Sequence, residues 1–318
     1  MIAGIGLAVQ ARLNGELGSQ VGDGIAATLA STVVGLVLLL LVVPLLPAGR
    51  RGLRLMRAAV RDGDLRWWHL AGGVCGALFV AGQGISVGAV GVAVFTVAVV
   101  GGSAIGGLVV DRFAIGPGGR RRITAARAAG GVTCVVAVAV AGHGAWDGSG
   151  TVALVVLPVL AGAAVAVQSA LNGRLGVIAG SPWPATLVNF AVAATSLAGV
   201  LTVRAVSGWS SPVRLPAEPP LYLAGVIGVG VIAVATIAVR HLGVLVFSLA
   251  SVAGQLLGAV VLDVFTPGRG PSVATFASIA ITFVALVLVT HPRFRRAEPE
   301  HAGSTTVDSA QTQERPQA

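Results

Sequence analysis

QARLNGELG (Gln10–Gly18) lies in the first hydrophobic segment of this chain, and QSALNGRLG (Gln168–Gly176) repeats it with six of nine positions identical. The likeness extends outward. At an offset of 158 residues, Gly4, Gln10, Leu13, Asn14, Gly15, Leu17, Gly18, Gly22, Ala27, Thr28 and Leu29 recur without a gap. Their counterparts are Gly162, Gln168, Leu171, Asn172, Gly173, Leu175, Gly176, Gly180, Ala185, Thr186 and Leu187. At an offset of 152, GVAVFTVAVVGGSAIGGLVVDRF (91–113) matches GVLVFSLASVAGQLLGAVVLDVF (243–265), sharing Gly91/Gly243, Phe95/Phe247, Gly102/Gly254, Gly106/Gly258 and Asp111/Asp263. The chain is therefore read as two related halves, 1–143 and 152–290, followed by a polar tail, 291–318, too poor in apolar residues to bury a core and expected to be disordered and cytoplasmic.

The medium of these halves follows from composition. Hydrophobic residues make up 55% of 318, charged residues 10%, and the mean hydropathy is +0.90. Soluble domains carry about 25% charged residues, so the chain belongs in a lipid bilayer. A helix needs about 20 apolar residues to cross the hydrocarbon. On that ruler ten spans are expected, near 2–18, 25–46, 67–87, 89–110, 124–142, 152–173, 184–204, 221–240, 243–264 and 272–290. The runs are continuous rather than alternating, which excludes a membrane β-barrel. The fold class is all-α and polytopic.

The net charge of +9 comes entirely from arginine. Most of those arginines sit between spans and not in a nucleic-acid-binding patch. Arg50, Arg51, Arg54, Arg57, Arg61 and Arg66 follow span 2, and Arg112, Arg120, Arg121 and Arg122 follow span 4. Arg174, Arg240 and Arg293–Arg296 share their side if spans alternate, so both termini are expected in the cytoplasm of a bacterial cell. Five spans per half is an odd number, so the second half must be inverted relative to the first. Glu16 and Arg174 occupy one repeat position with opposite charge, as ends on opposite faces of the membrane require. Met1–Val9 lacks the basic leader of a signal peptide, and its internal copy marks it as part of the mature protein. Cys75 and Cys134 lie inside apolar spans without metal-ligand spacing.

Ten spans in two inverted five-helix halves resemble the drug/metabolite transporter superfamily. The first-helix Q-x-x-x-N-x-x-L, the compact connection between spans 3 and 4, and GQLLGAVVLD (Gly254–Asp263) resemble its YdcZ-type branch in a fused, two-half form. The resemblance covers about residues 1–290. It implies a secondary transporter of the cytoplasmic membrane that moves a small metabolite by alternating access, with no cofactor, no metal and no catalytic residue, as a monomer or homodimer. A lipid flippase of the same fold and a non-transporting membrane scaffold are the alternatives. No HExxH, GxSxG or Walker loop is present, and the glycine-rich stretches follow no strand.

The residues that could meet cargo are intramembrane amides. Gln10 and Asn14 are four apart and share one helix face, and Gln168 and Asn172 repeat the arrangement. Inverted repeats place their substrate site near the midplane, where the halves meet. Gln10, Asn14, Gln168 and Asn172, with Asn189, Gln83 and Gln255, are thus the substrate-binding candidates. Amides also serve as interhelical hydrogen-bonding groups worth about 0.6 kcal/mol each, and both roles fit. Gly102-x-x-x-Gly106 and Gly254-x-x-x-Gly258 read as helix contacts. Asp111 and Asp263 read as caps or gate rims, and Arg12 with Glu16 as a local ion pair. A central carboxylate for proton coupling is missing from the first helix, where Gln10 stands at mid-depth.

Overall fold

The computed structural model describes residues 1–120, 152–209 and 213–264 continuously, with scattered positions within 124–136 and 277–287. The described side chains exclude 81–97, so the expectation for Gln83 lies outside them. Among the described residues the chain is helical, without strands. The helices are α1 (Ile2–Val21), α2 (Gly24–Val42), α3 (Pro47–Arg61), α4 (Gly72–Arg112), α5 (Val152–Ala179), α6 (Pro182–Val206), α7 (Leu223–Leu242) and α8 (Val244–Val264). Short 3-10 turns at Trp67–Leu70 and Pro219–Tyr222 lead into α4 and α7. Among the described residues five segments are long and apolar enough to cross a membrane: α2, Val156–Ala179 of α5, α6, the 3-10 turn with α7, and Val244–Leu262 of α8.

The opening peptide does not end its helix, as its Asn-Gly and Gly18 could have done. α1 continues to Val21 and stops at Gly22, whose φ of 75° is the left-handed conformation glycine adopts without a Cβ penalty. Asp23 then caps α2 by accepting from the N–H groups of Ile25 and Ala26 at 2.9 and 3.1 Å. The same punctuation recurs 158 residues on. Gly180 has φ 62°, and Ser181 caps α6 by accepting from Trp183 N–H at 3.4 Å. The Asp23 cap also pairs with Arg204 at 2.9 Å, tying the start of α2 to the end of α6.

Spans 3 and 4 are joined differently from the expectation of two separate helices. α4 is helical from Gly72 to Arg112, with no proline to break it. A straight helix of that length would be about 60 Å, twice the hydrocarbon thickness. Its contacts exclude a straight rod. Gly72 faces Asn172 and Gly76 faces Gln168, so the first arm rises as α5 falls. Gly102 faces Val159 and Gly106 faces Ala163 and Ala166, so the second arm rises with α5. The chain thus reverses between Gly76 and Val99, and α4 acts as two antiparallel arms on opposite sides of α5, where Gln168 and Val159 stand about 180° apart.

The connection after α2 holds a further helix that the hydropathy ruler missed. α3 carries five arginines yet buries Gly49, Gly52, Met56 and Ala59. Met56 and Ala59 pack with Leu65, Leu175, Ala179 and Ala185 over the corner between α5 and α6. Elsewhere the core is built from small residues. Ala3, Val110, Ala166, Ala170, Val231, Ala235, Val239, Val244 and Phe247 form one cluster joining α1, α4, α5, α7 and α8. In lipid, such residues let backbones approach closely enough for van der Waals packing to hold helices together.

Candidate functional site: two amide clusters at the helix seams

The Gln–Asn pairs recur in the structure as two clusters, one on each side of the long seams. On α5, Gln168 and Asn172 lie one turn apart and face Asn189 of α6. Gln168 Nε2 donates to Asn189 Oδ1 at 3.0 Å, and Asn172 Nδ2 donates to the same oxygen at 3.1 Å. All three are buried, Asn172 to 1% exposure, and Asn172 Oδ1 has no hydrogen-bond partner among the described residues. Gly72 and Gly76 of α4 close the cluster. A Cβ at Gly72 would stand 2.9 Å from Asn172 Oδ1, and one at Gly76 3.1 Å from Gln168 Nε2. A larger residue at either position would push the amide ends aside.

On α1, Asn14 faces Ser31 of α2, whose hydroxyl donates to Asn14 Oδ1 at 2.9 Å. Ser31 is the repeat counterpart of Asn189, so helix 1 meets helix 2 through the same two positions in each half. Gln10 packs on α7, where a Cβ at Gly228 would stand 2.7 Å from Gln10 Nε2. Gly228 is in turn the counterpart, at the offset of 152, of Gly76. The clusters are chemically unequal. Gln10 and Asn14 are half-buried, whereas their counterparts are buried. A serine hydroxyl also stands in the first cluster where an amide accepting two bonds stands in the second.

Sequence reasoning missed Phe190. It follows Asn189 on α6 and is 6% exposed. Its Cζ would lie 3.3 Å from a Cβ at Gly228, the glycine that carries Gln10. Adjacent residues of α6 therefore touch the two clusters, Asn189 one and Phe190 the other. An isolated phenylalanine in an apolar run carries no signal of this; only its place beside Asn189 could have pointed to it.

Other expectations resolve individually. Gln255 is half-buried on α8, with its backbone N–H against Gly4. No hydrogen bond among the described residues joins it to either cluster. The Gly-x-x-x-Gly faces are helix contacts: Gly102 and Gly106 receive α5, and Gly254 and Gly258 receive α1 at Met1, Ile5 and Ala8. Asp111 is a cap, though for a helix 133 residues away. Its carboxylate accepts from the buried N–H groups of Val244 and Leu245 at 3.0 and 3.3 Å, satisfying donors that have no partner within the first turn of α8. The side chain of Asp263 lies outside the described residues. The expected Arg12–Glu16 pair is replaced by other partners. Arg12 donates to the Leu262 carbonyl at 3.2 Å and Glu16 accepts from Gln20 at 3.2 Å, because a protein carbonyl on α8 lies within reach of the guanidinium.

Chemically, the clusters offer neutral donors and acceptors in a low-dielectric setting. Among the described residues no three His, Cys, Asp or Glu gather as metal ligands. A search of curated proteins found no match. Comparison with protein families matches residues 1–140 and 153–289, one stretch in each half, to the family described as "Putative inner membrane exporter, YdcZ". The match spans both amide clusters and nearly all the helices around them, and the chain belongs to this family of inner-membrane exporters, transport proteins rather than enzymes.

Proposed function

We propose that the chain is a secondary transporter that carries a small polar or amphipathic metabolite across the cytoplasmic membrane by alternating access. The substrate binds between two inverted five-helix halves, 1–143 and 152–290, with both termini in the cytoplasm. The arms of α4 serve as spans 3 and 4; the expected spans 5 and 10, at 124–142 and 272–290, lie largely outside the described residues. Gln10, Asn14, Gln168, Asn172 and Asn189 form the binding surface, with Gln255 and Gln83 as further candidates for contact with cargo.

The observation that carries this reading is the exchange of contacts between halves. The glutamine of each first helix rests on a glycine of the other half, Gln10 on Gly228 and Gln168 on Gly76. The same exchange recurs farther along, where Gly4 meets Ser251 and Gln255 while Gly162 meets Val99 and Ser103. Every member of these pairs is its counterpart shifted by 158 or 152 residues. Contacts that swap under a repeat operator are what two homologous halves make across a pseudo-two-fold axis, and such seams hold substrate in inverted-repeat transporters.

The unequal burial of the clusters fits a single stage of the cycle. With both termini in the cytoplasm, Asn172 lies toward the cytoplasmic end of its span and Asn14 toward the outer end of its own. The cytoplasmic cluster is closed and the outer one partly open. Cargo is first identified by screening small metabolites for a rise in the Tm of the purified protein, since binding stabilises by mass action. In proteoliposomes, Gln168→Ala and Asn172→Ala then abolish transport of that cargo while the protein stays folded. Normal transport by both variants would refute the amide site.

A further inference from the structure

We propose that the outward face of α3 binds the phosphates of anionic lipids in the leaflet beside it. The helix has two faces of opposite character. Gly49, Gly52, Met56 and Ala59 are buried against the α5–α6 corner. Opposite them, Arg50, Arg54, Arg57 and Arg61 recur at i, i+4, i+7 and i+11, and all four are exposed. That spacing keeps them on one stripe about 16 Å long. Arg51 flanks the stripe, and Pro47–Arg61 contains no acidic residue.

Like charges three and four apart on a helix repel one another, and no carboxylate among the described residues pairs with these arginines. Orientation by arginine asks only that the connection be basic. It does not ask for a single stripe on a helix whose other face is fixed to the protein. The stripe therefore presents an uncompensated, pre-formed array of guanidinium forks, which match phosphate oxygens bidentately. Arg50, Leu53 and Arg54 line a shallow open groove in it.

The surroundings select a lipid over a soluble polyanion. Leu55 is 41% and Val60 45% exposed along the edges of the stripe, and Trp67, just beyond its end, is 81% exposed. A soluble partner would leave these side chains in water. The headgroup layer takes both the apolar edges and the amphipathic indole while offering phosphates to the arginines.

The test uses the full purified chain in neutral-detergent micelles, with native mass spectrometry counting retained phosphatidylglycerol against phosphatidylcholine. Phosphatidylglycerol is expected to be retained in preference and to be shed as salt rises. Each arginine near an anionic surface is worth roughly a factor of five, so Arg50→Gln with Arg54→Gln lowers phosphatidylglycerol affinity about twenty-five-fold. Arg120→Gln, on a different exposed loop, leaves it unchanged. Equal melting of the double variant and the wild type in phosphatidylcholine micelles excludes misfolding; should that variant melt early, Arg57→Gln with Arg61→Gln carries the same expectation. Equal retention of the two lipids, unchanged affinity in the folded variant, or stabilisation by inorganic pyrophosphate as large as by phosphatidylglycerol would each overturn the proposal.

Discussion

Asn189→Ala is the substitution that weighs the buried cluster. Asn189 Oδ1 is the acceptor shared by Gln168 Nε2 at 3.0 Å and Asn172 Nδ2 at 3.1 Å, and all three residues are buried. Removing it strands two donors where water does not reach. A buried donor left unsatisfied costs about 1–3 kcal/mol, whereas interhelical hydrogen bonds in membrane proteins average about 0.6 kcal/mol because the unfolded chain also finds partners. Two bonds on the lower scale give about 1.2 kcal/mol, and the burial of both donors raises the expectation to about 2–3 kcal/mol. Ser31→Ala at the repeat-related position is the internal control. It removes one bond, at 2.9 Å, to the half-buried Asn14, where another donor can replace it, and should cost less than about 0.6 kcal/mol. Reversible unfolding in mixed micelles, followed by tryptophan fluorescence, measures both. Equal costs, or a cost below about 0.5 kcal/mol for Asn189→Ala, would show that Gln168 and Asn172 find other partners and that the cluster is not a tightly held unit.

Two further expectations concern the frame. Leucine at Gly102 or Gly254 would collide with the backbone of Val159 or Met1, so either variant should lose folded protein from the membrane, read by detergent-extracted yield and Tm, while leucine at open Gly199 should not. His69 is buried in the 3-10 turn ahead of α4, and its Nδ1 accepts from Arg66 N–H at 2.9 Å. Losing that acceptor leaves the Arg66 N–H without its partner, a cost of about 1 kcal/mol; His69→Ala should therefore lower the Tm of the purified protein, and an unchanged Tm would show that the bond does not hold the turn.

Much of the fold could be read from local pattern. The helices through Gln10 and Gln168 followed from continuous hydropathy, and the relation between them from identity at fixed offsets. What hydropathy could not show was α3, because its arginines mask a helical period whose buried positions are glycine, methionine and alanine. The candidate site was half legible. The spacing of four placed each Gln with its Asn on one face, and Asn189 stood out as a lone amide in an apolar run. Gln255 stood out equally, yet no bond among the described residues ties it to the clusters. An amide in an apolar helix shows that it needs a partner but not which one.

The sequence by itself determined the medium, the helical class and the repeat, since these depend on how many apolar residues stand in a row and on which short peptides recur. The tertiary structure alone decided the partnerships: two donors on one Asn189 oxygen, Gln10 on Gly228, Phe190 between the clusters, and Asp111 capping a helix 133 residues away. The physical reason is that these helices are hydrophobic all round, so they carry no amphipathic stripe to say which face turns inward. In lipid that choice is made by where glycines allow two backbones to touch. A glycine against another helix and a glycine facing open space read alike in the sequence.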